Sequence, residues 1–125
     1  MKKLSIIIPA YNEEETIEEI LKKVLAVNLK ELEIEKEVIV VDDGSKDATA
    51  QKVEKMQQEG VLLIQHGKNK GKGAAIRAGI MHATGDFILI QDADLEYNPE
   101  EYKVLLKPFE KEGVQVVYGT RYWSI

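Results

Sequence analysis

The sequence predicts an α/β fold, a mainly parallel sheet with helices on both faces. Three observations carry this. Short β-branched, apolar runs alternate with stripes of helical periodicity from one end of the chain to the other. The first two runs, Leu4 to Ile8 and Val38 to Val41, are apolar almost throughout rather than alternating, the mark of strands buried on both faces. The most polar short segments fall where the runs end, at the carboxyl edge where such sheets collect ligands. At 125 residues, 44% hydrophobic and 31% charged, the chain is long and apolar enough for a single domain spanning residues 1–125.

Taken in order, the first strand ends at Pro9. From Glu13 to about Val27, Ile17, Ile20, Leu21, Val24 and Leu25 share one helical stripe, with Asn12 as the expected cap and Glu15 completing a capping-box pattern. The second strand runs into Asp42-Asp43-Gly44-Ser45. A helix capped by Ser45 or Asp47 is expected to reach about Gln58, where Gly60 stops it. Val61 to Ile64 form a third strand, Gly67 to Gly73 a loop, and Ala74 to Ala83 a helix. Ala74, Ala75, Ala78 and Gly79 make that helix thin enough to approach the sheet closely. The fourth strand, Asp86 to Ile90, leads into Gln91-Asp92-Ala93-Asp94. Asn98-Pro99 starts another helix, ending near Gly113, and Val114 to Tyr118 form a fifth and last strand.

Composition narrows the function. The absence of cysteine rules out disulfide scaffolds, cysteine-zinc sites and thiol nucleophiles. A net charge of −5 argues against a nucleic-acid partner, which requires a basic face. Pro9 and the acidic run behind it prevent the opening residues from forming a signal peptide, and no run approaches the ~18 apolar residues of a membrane span.

The candidate chemistry lies at the strand ends. Asp92 and Asp94, one residue apart, suit a hard divalent cation that keeps open positions for phosphate oxygens, and Glu96 adds a third oxygen. The same pattern also reads as a solvated acidic turn, or as a cap for the helix at Pro99. Asp42 and Asp43 suit ribose hydroxyls or the N–H edge of a base, with Gly44 turning the backbone beneath the ligand. They equally suit capping of the next turn. The basic loop Lys68 to Lys72 offers backbone N–H groups to phosphate, but it is neither a Walker A loop nor a dinucleotide fingerprint. Arg121 lies just past the fifth strand, at the expected ligand edge, and reads equally as a surface salt-bridge residue. His66 and His82 lack metal-ligand spacing and read as structural or surface residues, and Tyr122 and Trp123 as packing residues.

Read together, these segments resemble the family 2 inverting glycosyltransferases. The resemblance rests on Ser5 to Glu14, Val41 to Thr49, Asn69-Lys70-Gly71-Lys72-Gly73, Ala83-Thr84-Gly85-Asp86, Gln91 to Glu96 and Val117 to Tyr122, in order and over essentially the whole chain. It is strongest with the branch that transfers a hexose to a polyprenyl phosphate, the dolichyl-phosphate mannose and glucose synthases. It implies a Rossmann-like GT-A fold that binds a nucleotide-diphosphate sugar, linked to UDP or GDP. Pro9, Tyr11 and Glu13 would line the nucleotide pocket, and Asp42 and Asp43 would take the base and ribose. Asp92, Ala93 and Asp94 would meet the diphosphate, with Asp92, Asp94 and Glu96 holding Mg2+ or Mn2+. Arg121 would face the phosphates, and Asp92, Asp94 and Arg121 would carry catalysis. A cytoplasmic location is implied, peripheral at the inner face of the membrane where the polyprenyl phosphate lies. Family members continue past the position of Ile125 with a segment that shapes the acceptor site, so the chain is expected to be the donor-binding part of such an enzyme. The rival readings are a non-catalytic nucleotide-sugar-binding module and a sugar-phosphate nucleotidyltransferase. Pro9-Ala10-Tyr11-Asn12-Glu13 does not match the glycine-rich loop of the latter.

Overall fold

The computed structural model describes residues 2–93 together with the backbone of 115–118 and 121–124. Six strands form one sheet: β1 (Lys2–Ala10), β2 (Ile34–Asp42), β3 (Val61–Gln65), β4 (Phe87–Ile90), β5 (Gln115–Tyr118) and β6 (Arg121–Ser124). Three helices are described, α1 (Ile17–Ala26), α2 (Thr49–Glu54) and α3 (Lys72–His82). The spatial order is β3-β2-β1-β4-β5-β6, parallel except for the antiparallel β5–β6 pair. Strand order therefore reverses between β1 and β4, which opens a crevice beyond their carboxyl ends.

The continuous apolar runs are explained by two cores. Leu4, Ile6 and Ile8 of β1 join Val38, Val40 and Leu89 against Ile17, Ile20, Leu21 and Val24 of α1 and Val53 of α2. The alternate residues Ile7, Ile39, Val41, Ile88 and Ile90 face Ala75 of α3. Burying one such side chain fully is worth roughly 1.5–3 kcal/mol, so the two layers supply the main driving force for folding. The expected thin helix is present. A Cβ on Gly79 would stand 2.5 Å from Cγ2 of Ile7, so only glycine permits this approach of α3 to β1.

Several expected boundaries move. Asn12 does not cap α1. Its φ is 52°, and the helix begins at Ile17 with Thr16 in the cap position and no side-chain cap bond. Residues 11–15 are held instead by the segment after β2, as described below. The end of α1 is closed by Lys36 of β2, whose Nζ donates to the carbonyls of Val24, Leu25 and Val27. Burial pushes the Lys36 ammonium below its ordinary value. α2 stops at Glu54, and a 3-10 turn over Gln57–Glu59 precedes Gly60, which ends the segment with φ 95° as expected. Lys30–Leu32 form another 3-10 turn before β2.

The chain does not end on its fifth strand: Arg121–Ser124 return antiparallel as β6. The helix expected from Asn98 lies outside the described residues, as do Asp94 and Glu96.

Candidate functional site

Three loops meet at the crevice, and most of their polar groups bind one another. Backbone N–H groups of Asn12, Glu13 and Glu14 donate to Ser45 Oγ (2.9 Å), Thr49 Oγ1 (2.9 Å) and Asp47 Oδ2 (3.3 Å). In return Asn12 Oδ1 accepts from Lys46 N–H (2.9 Å), and Glu14 Oε2 from Ala48 N–H (3.2 Å). The residue in the cap position of α2 is Ala48. Asp47, one place earlier, accepts from the Thr49 N–H at 3.0 Å. This reciprocal lacing fixes the path of Tyr11 and Glu13 along the crevice and satisfies donors that would otherwise be stranded.

The third loop is organised by Asp43, which is 3% exposed. Its Oδ1 accepts from Lys70 N–H (2.9 Å) and meets His66 Nδ1 (2.9 Å), while Oδ2 accepts from Gly71 N–H (2.8 Å). Burial alone would push this carboxyl up. The bonds from His66, Lys70 and Gly71 outweigh that and hold it below the ordinary aspartate value. The expectation that the basic loop turns its N–H groups to phosphate is thus overturned for Lys70 and Gly71, whose N–H groups are taken by Asp43. Gly44 makes the expected tight turn and borders the adjoining cavity. With φ 75°, it turns against the same loop, and a Cβ there would lie 2.5 Å from backbone atoms of Lys68 and Asn69. Asp42, equally buried, accepts from Ser45 N–H at 3.2 Å.

At the end of β4, Gln91 is fully buried and its N–H donates to Ile7 O (2.9 Å). Thr16 Oγ1 donates to Ala93 O at 2.6 Å, tying the Asp92-Ala93 turn to the loop that carries Glu13. Asp92 Oδ1 stands 2.5 Å from Lys72 Nζ at the start of α3. Together these groups surround a cleft of about 320 Å³, walled by Pro9, Ala10, Tyr11 and Glu13 on one side and Asp92, Ala93 and Lys72 on another, with Asp43, Asn69 and Ala75 completing it. A second cavity of about 530 Å³ adjoins it, sharing Tyr11 and Asn69 and bounded by Asp42, Ser45, Gln65, His66 and Lys68 among others.

Among the expected site residues, the structure therefore brings Pro9, Tyr11, Glu13, Asp43, Asp92 and Ala93 around one cleft, with Asp42 in the adjoining cavity. The Arg121 backbone pairs with Tyr118, which pairs with Ile90, so Arg121 stands at the sheet level from which Asp92 departs. Lys72 and Asn69 were missing from the expected site. The signal for them was present in the basic loop, but it was read as a source of N–H groups rather than side chains. His66 has a structural role, as expected, although its partner Asp43 was not foreseen.

A divalent cation is compatible with this edge. Asp92 offers a hard oxygen donor and already draws a cation, the Lys72 ammonium, to hydrogen-bond distance. Among the described residues no group of three His, Cys, Asp or Glu side chains converges.

Similarity to known proteins points the same way. The chain is 41% identical over 124 residues to an undecaprenyl-phosphate 4-deoxy-4-formamido-L-arabinose transferase of Proteus mirabilis, covering 97% of this chain and 37% of that protein. In structure it resembles TarS of S. aureus, solved in complex with UDP-GlcNAc, with a TM-score of 0.69 and 34% identity over 82% of this chain and 30% of that one. It also resembles the mannosyltransferase PcManGT of Pyrobaculum calidifontis, solved with GDP-Man and Mn2+, with a TM-score of 0.71 and 26% identity over 87% of this chain and 32% of that one. The chain thus spans about a third of the length of these relatives. A glycosyl transferase family 2 model matches residues 5–125, every strand but the first three residues of β1 included, and the chain belongs to that family.

Proposed function

We propose that this chain is the nucleotide-sugar-binding part of an inverting glycosyltransferase, which moves a sugar from a UDP- or GDP-linked donor to a polyprenyl phosphate. The observation that carries the reading is the cleft at the β1–β4 reversal, with Asp92 on one wall and the Pro9–Glu13 loop on the other. The named activity of the Proteus mirabilis relative supports a polyprenyl-phosphate acceptor, and the ligands of TarS and PcManGT support a nucleotide-sugar donor.

In this reading Tyr11 and Asp42 hold the nucleoside across the two cavities. Asp43 contributes by fixing the loop beside it, and Glu13 and Ala93 shape the sugar-diphosphate end. Asp92, with Asp94 and Glu96, would hold Mg2+ or Mn2+, which neutralises charge on the leaving diphosphate when bound. An acceptor phosphate oxygen forms the new bond to the anomeric carbon. The bond from that carbon to the diphosphate oxygen breaks on the opposite face, its electron pair leaving with the diphosphate. Arg121 stabilises the departing charge. A phosphate nucleophile is already anionic near neutral pH, so no strong general base is required. The domain would work at the cytoplasmic face of the membrane, held at its surface. Among the described residues no helix is long and apolar enough to cross a membrane.

Titration calorimetry with UDP- and GDP-sugars, with and without Mn2+, tests the reading. Metal-dependent binding of one nucleotide class is expected, and Asp94→Ala is expected to abolish the metal dependence. An unchanged metal dependence in that variant sinks the metal assignment. Donor binding without transfer to a polyprenyl phosphate favours the non-catalytic module for this chain.

A further inference from the structure

We propose that Lys72 is the built-in counter-ion of Asp92, and that a divalent cation binds this carboxylate only by displacing it, which couples cation binding to the nucleoside diphosphate. The proposal rests on the donor-site reading above. Lys72 Nζ stands 2.5 Å from Asp92 Oδ1, so the ammonium occupies the near side of an oxygen that a metal would need. Both side chains wall the same cleft. Their exposure differs: the Lys72 side chain is about half exposed (52%), whereas that of Asp92 is less so (23%). Asp92 sits in a turn held by Thr16 and Gln91, while Lys72 reaches it from the first residue of α3 on a four-carbon stem of the intrinsically flexible kind. The lysine is therefore the member of the pair that moves.

A doubly charged cation beside Asp92 repels the ammonium and competes with it for this carboxylate. In the cleft without nucleotide, that displacement opposes metal binding. A nucleoside diphosphate supplies the displaced ammonium with an anionic partner inside the same cavity, so the opposition disappears when the donor is present. Coupling of this kind is reciprocal: the metal strengthens nucleotide binding by the factor by which the nucleotide strengthens metal binding. Lys72 is accordingly a positioning residue, and it biases the divalent cation toward the donor-loaded site.

The test is calorimetric titration of Mn2+ at fixed ionic strength into the wild-type chain, Lys72→Met, Lys72→Arg and Lys70→Met, alone and with saturating UDP or GDP. Lys70→Met removes one positive charge from the same loop without touching the Asp92 pair. Lys72→Met is expected to bind Mn2+ alone about threefold more tightly than wild type, as loss of a competing exposed ion pair allows. Lys72→Arg should stay near wild type and Lys70→Met within about twofold of it. With nucleotide present the advantage of Lys72→Met should vanish, because the diphosphate loses its ammonium. A gain in affinity is not what a variant with mere structural damage produces. If Lys72→Met binds Mn2+ alone no more tightly than Lys70→Met while wild type still binds nucleotide with Mn2+, the counter-ion role is overturned and the donor site stands. If saturating UDP or GDP leaves the Mn2+ affinity of wild type unchanged, the donor-site reading falls and this proposal falls with it.

Discussion

Replacing Asp43 tests how the third loop is held. Its carboxylate is almost wholly buried and serves three donors, the N–H groups of Lys70 and Gly71 and the ring of His66. Each bond to a charged acceptor contributes roughly 1.5–3 kcal/mol, but the three share one anchor and water enters when it is lost, so they do not add. Asp43→Ala is expected to cost about 3–5 kcal/mol, as removal of one partner from a buried charged pair does. With a urea slope of roughly 1.5 kcal/mol/M, that lowers the unfolding midpoint by about 2–3 M. Asp43→Asn is the gentler probe. Its oxygen can keep the Lys70 and His66 side, but its NH2 group then faces the Gly71 N–H donor, for a loss of about 1–3 kcal/mol. The pH dependence discriminates further. The folded-state value of Asp43 is depressed, so the unfolded chain binds more protons as pH falls. The stability it contributes is complete above the unfolded-state value near 3.8 and is lost as pH falls through the folded one. Glu37 and Asp47 are depressed too, each because hydrogen bonds outweigh burial, so the wild-type acid limb is a shared one. Urea unfolding at pH 7 and pH 3 should show a smaller acid loss in Asp43→Asn than in wild type. Equal losses in the two proteins would refute the claim that this loop holds the carboxylate charged.

Three further substitutions separate architecture from binding. Gly44→Ala places a Cβ 2.5 Å from the backbone of Lys68 and Asn69 at a φ of 75°, and it should destabilise by about 2 kcal/mol or more in urea unfolding. Gly79→Ala drives a Cβ into Ile7 and should cost about 1–3 kcal/mol; a double-mutant cycle with Ile7→Ala should recover part of that, and strict additivity would mean that α3 simply moves away. Tyr11→Ala should leave the unfolding midpoint within about 0.5 kcal/mol of wild type, because the side chain is 41% exposed. The same change should weaken nucleotide binding roughly tenfold by calorimetry if the ring stacks on the base, and unchanged binding would remove it from the site.

The sheet was legible because burial on both faces writes itself as unbroken apolar runs, and β1, β2 and β4 needed little more. The helix starts were less legible. Asn12 followed by Glu15 has the residue types of a cap, but a side chain bonds its own helix only when no better partner stands opposite, and Lys46 N–H stands opposite Asn12. The partners that lace the 11–15 segment to the 45–49 segment are more than thirty residues away, and no local pattern announces them. β6 was missed for a related reason: a strand of four residues that, among the described residues, pairs with its predecessor alone carries too short a pattern to be told from a tail.

The candidate site raises a harder case, because polar segments at the two ends of the sheet look alike in sequence. Ala83-Thr84-Gly85-Asp86 is as polar as Gln91-Asp92-Ala93, yet it precedes β4 rather than following it, and register sends it to the opposite edge. There Glu37 accepts from Ser5 Oγ (2.7 Å), Thr84 N–H (2.9 Å) and Thr84 Oγ1 (2.8 Å), and Ser5 Oγ accepts from Gly85 N–H (2.9 Å). A Cβ on Gly85 would stand 2.5 Å from Ser5 Oγ and 2.8 Å from Lys3 O, so this glycine serves close packing. Asp86 closes the clasp by accepting from Lys3 N–H at 2.9 Å. The bonding around Glu37 is inward and complete enough to hold that carboxyl below its ordinary value against burial. At the other edge the Asp92 carboxylate lines a cleft and pairs with the Lys72 ammonium. A carboxylate that cements the sheet and one that lines the cleft are thus told apart by strand register, which the sequence pattern alone does not reveal.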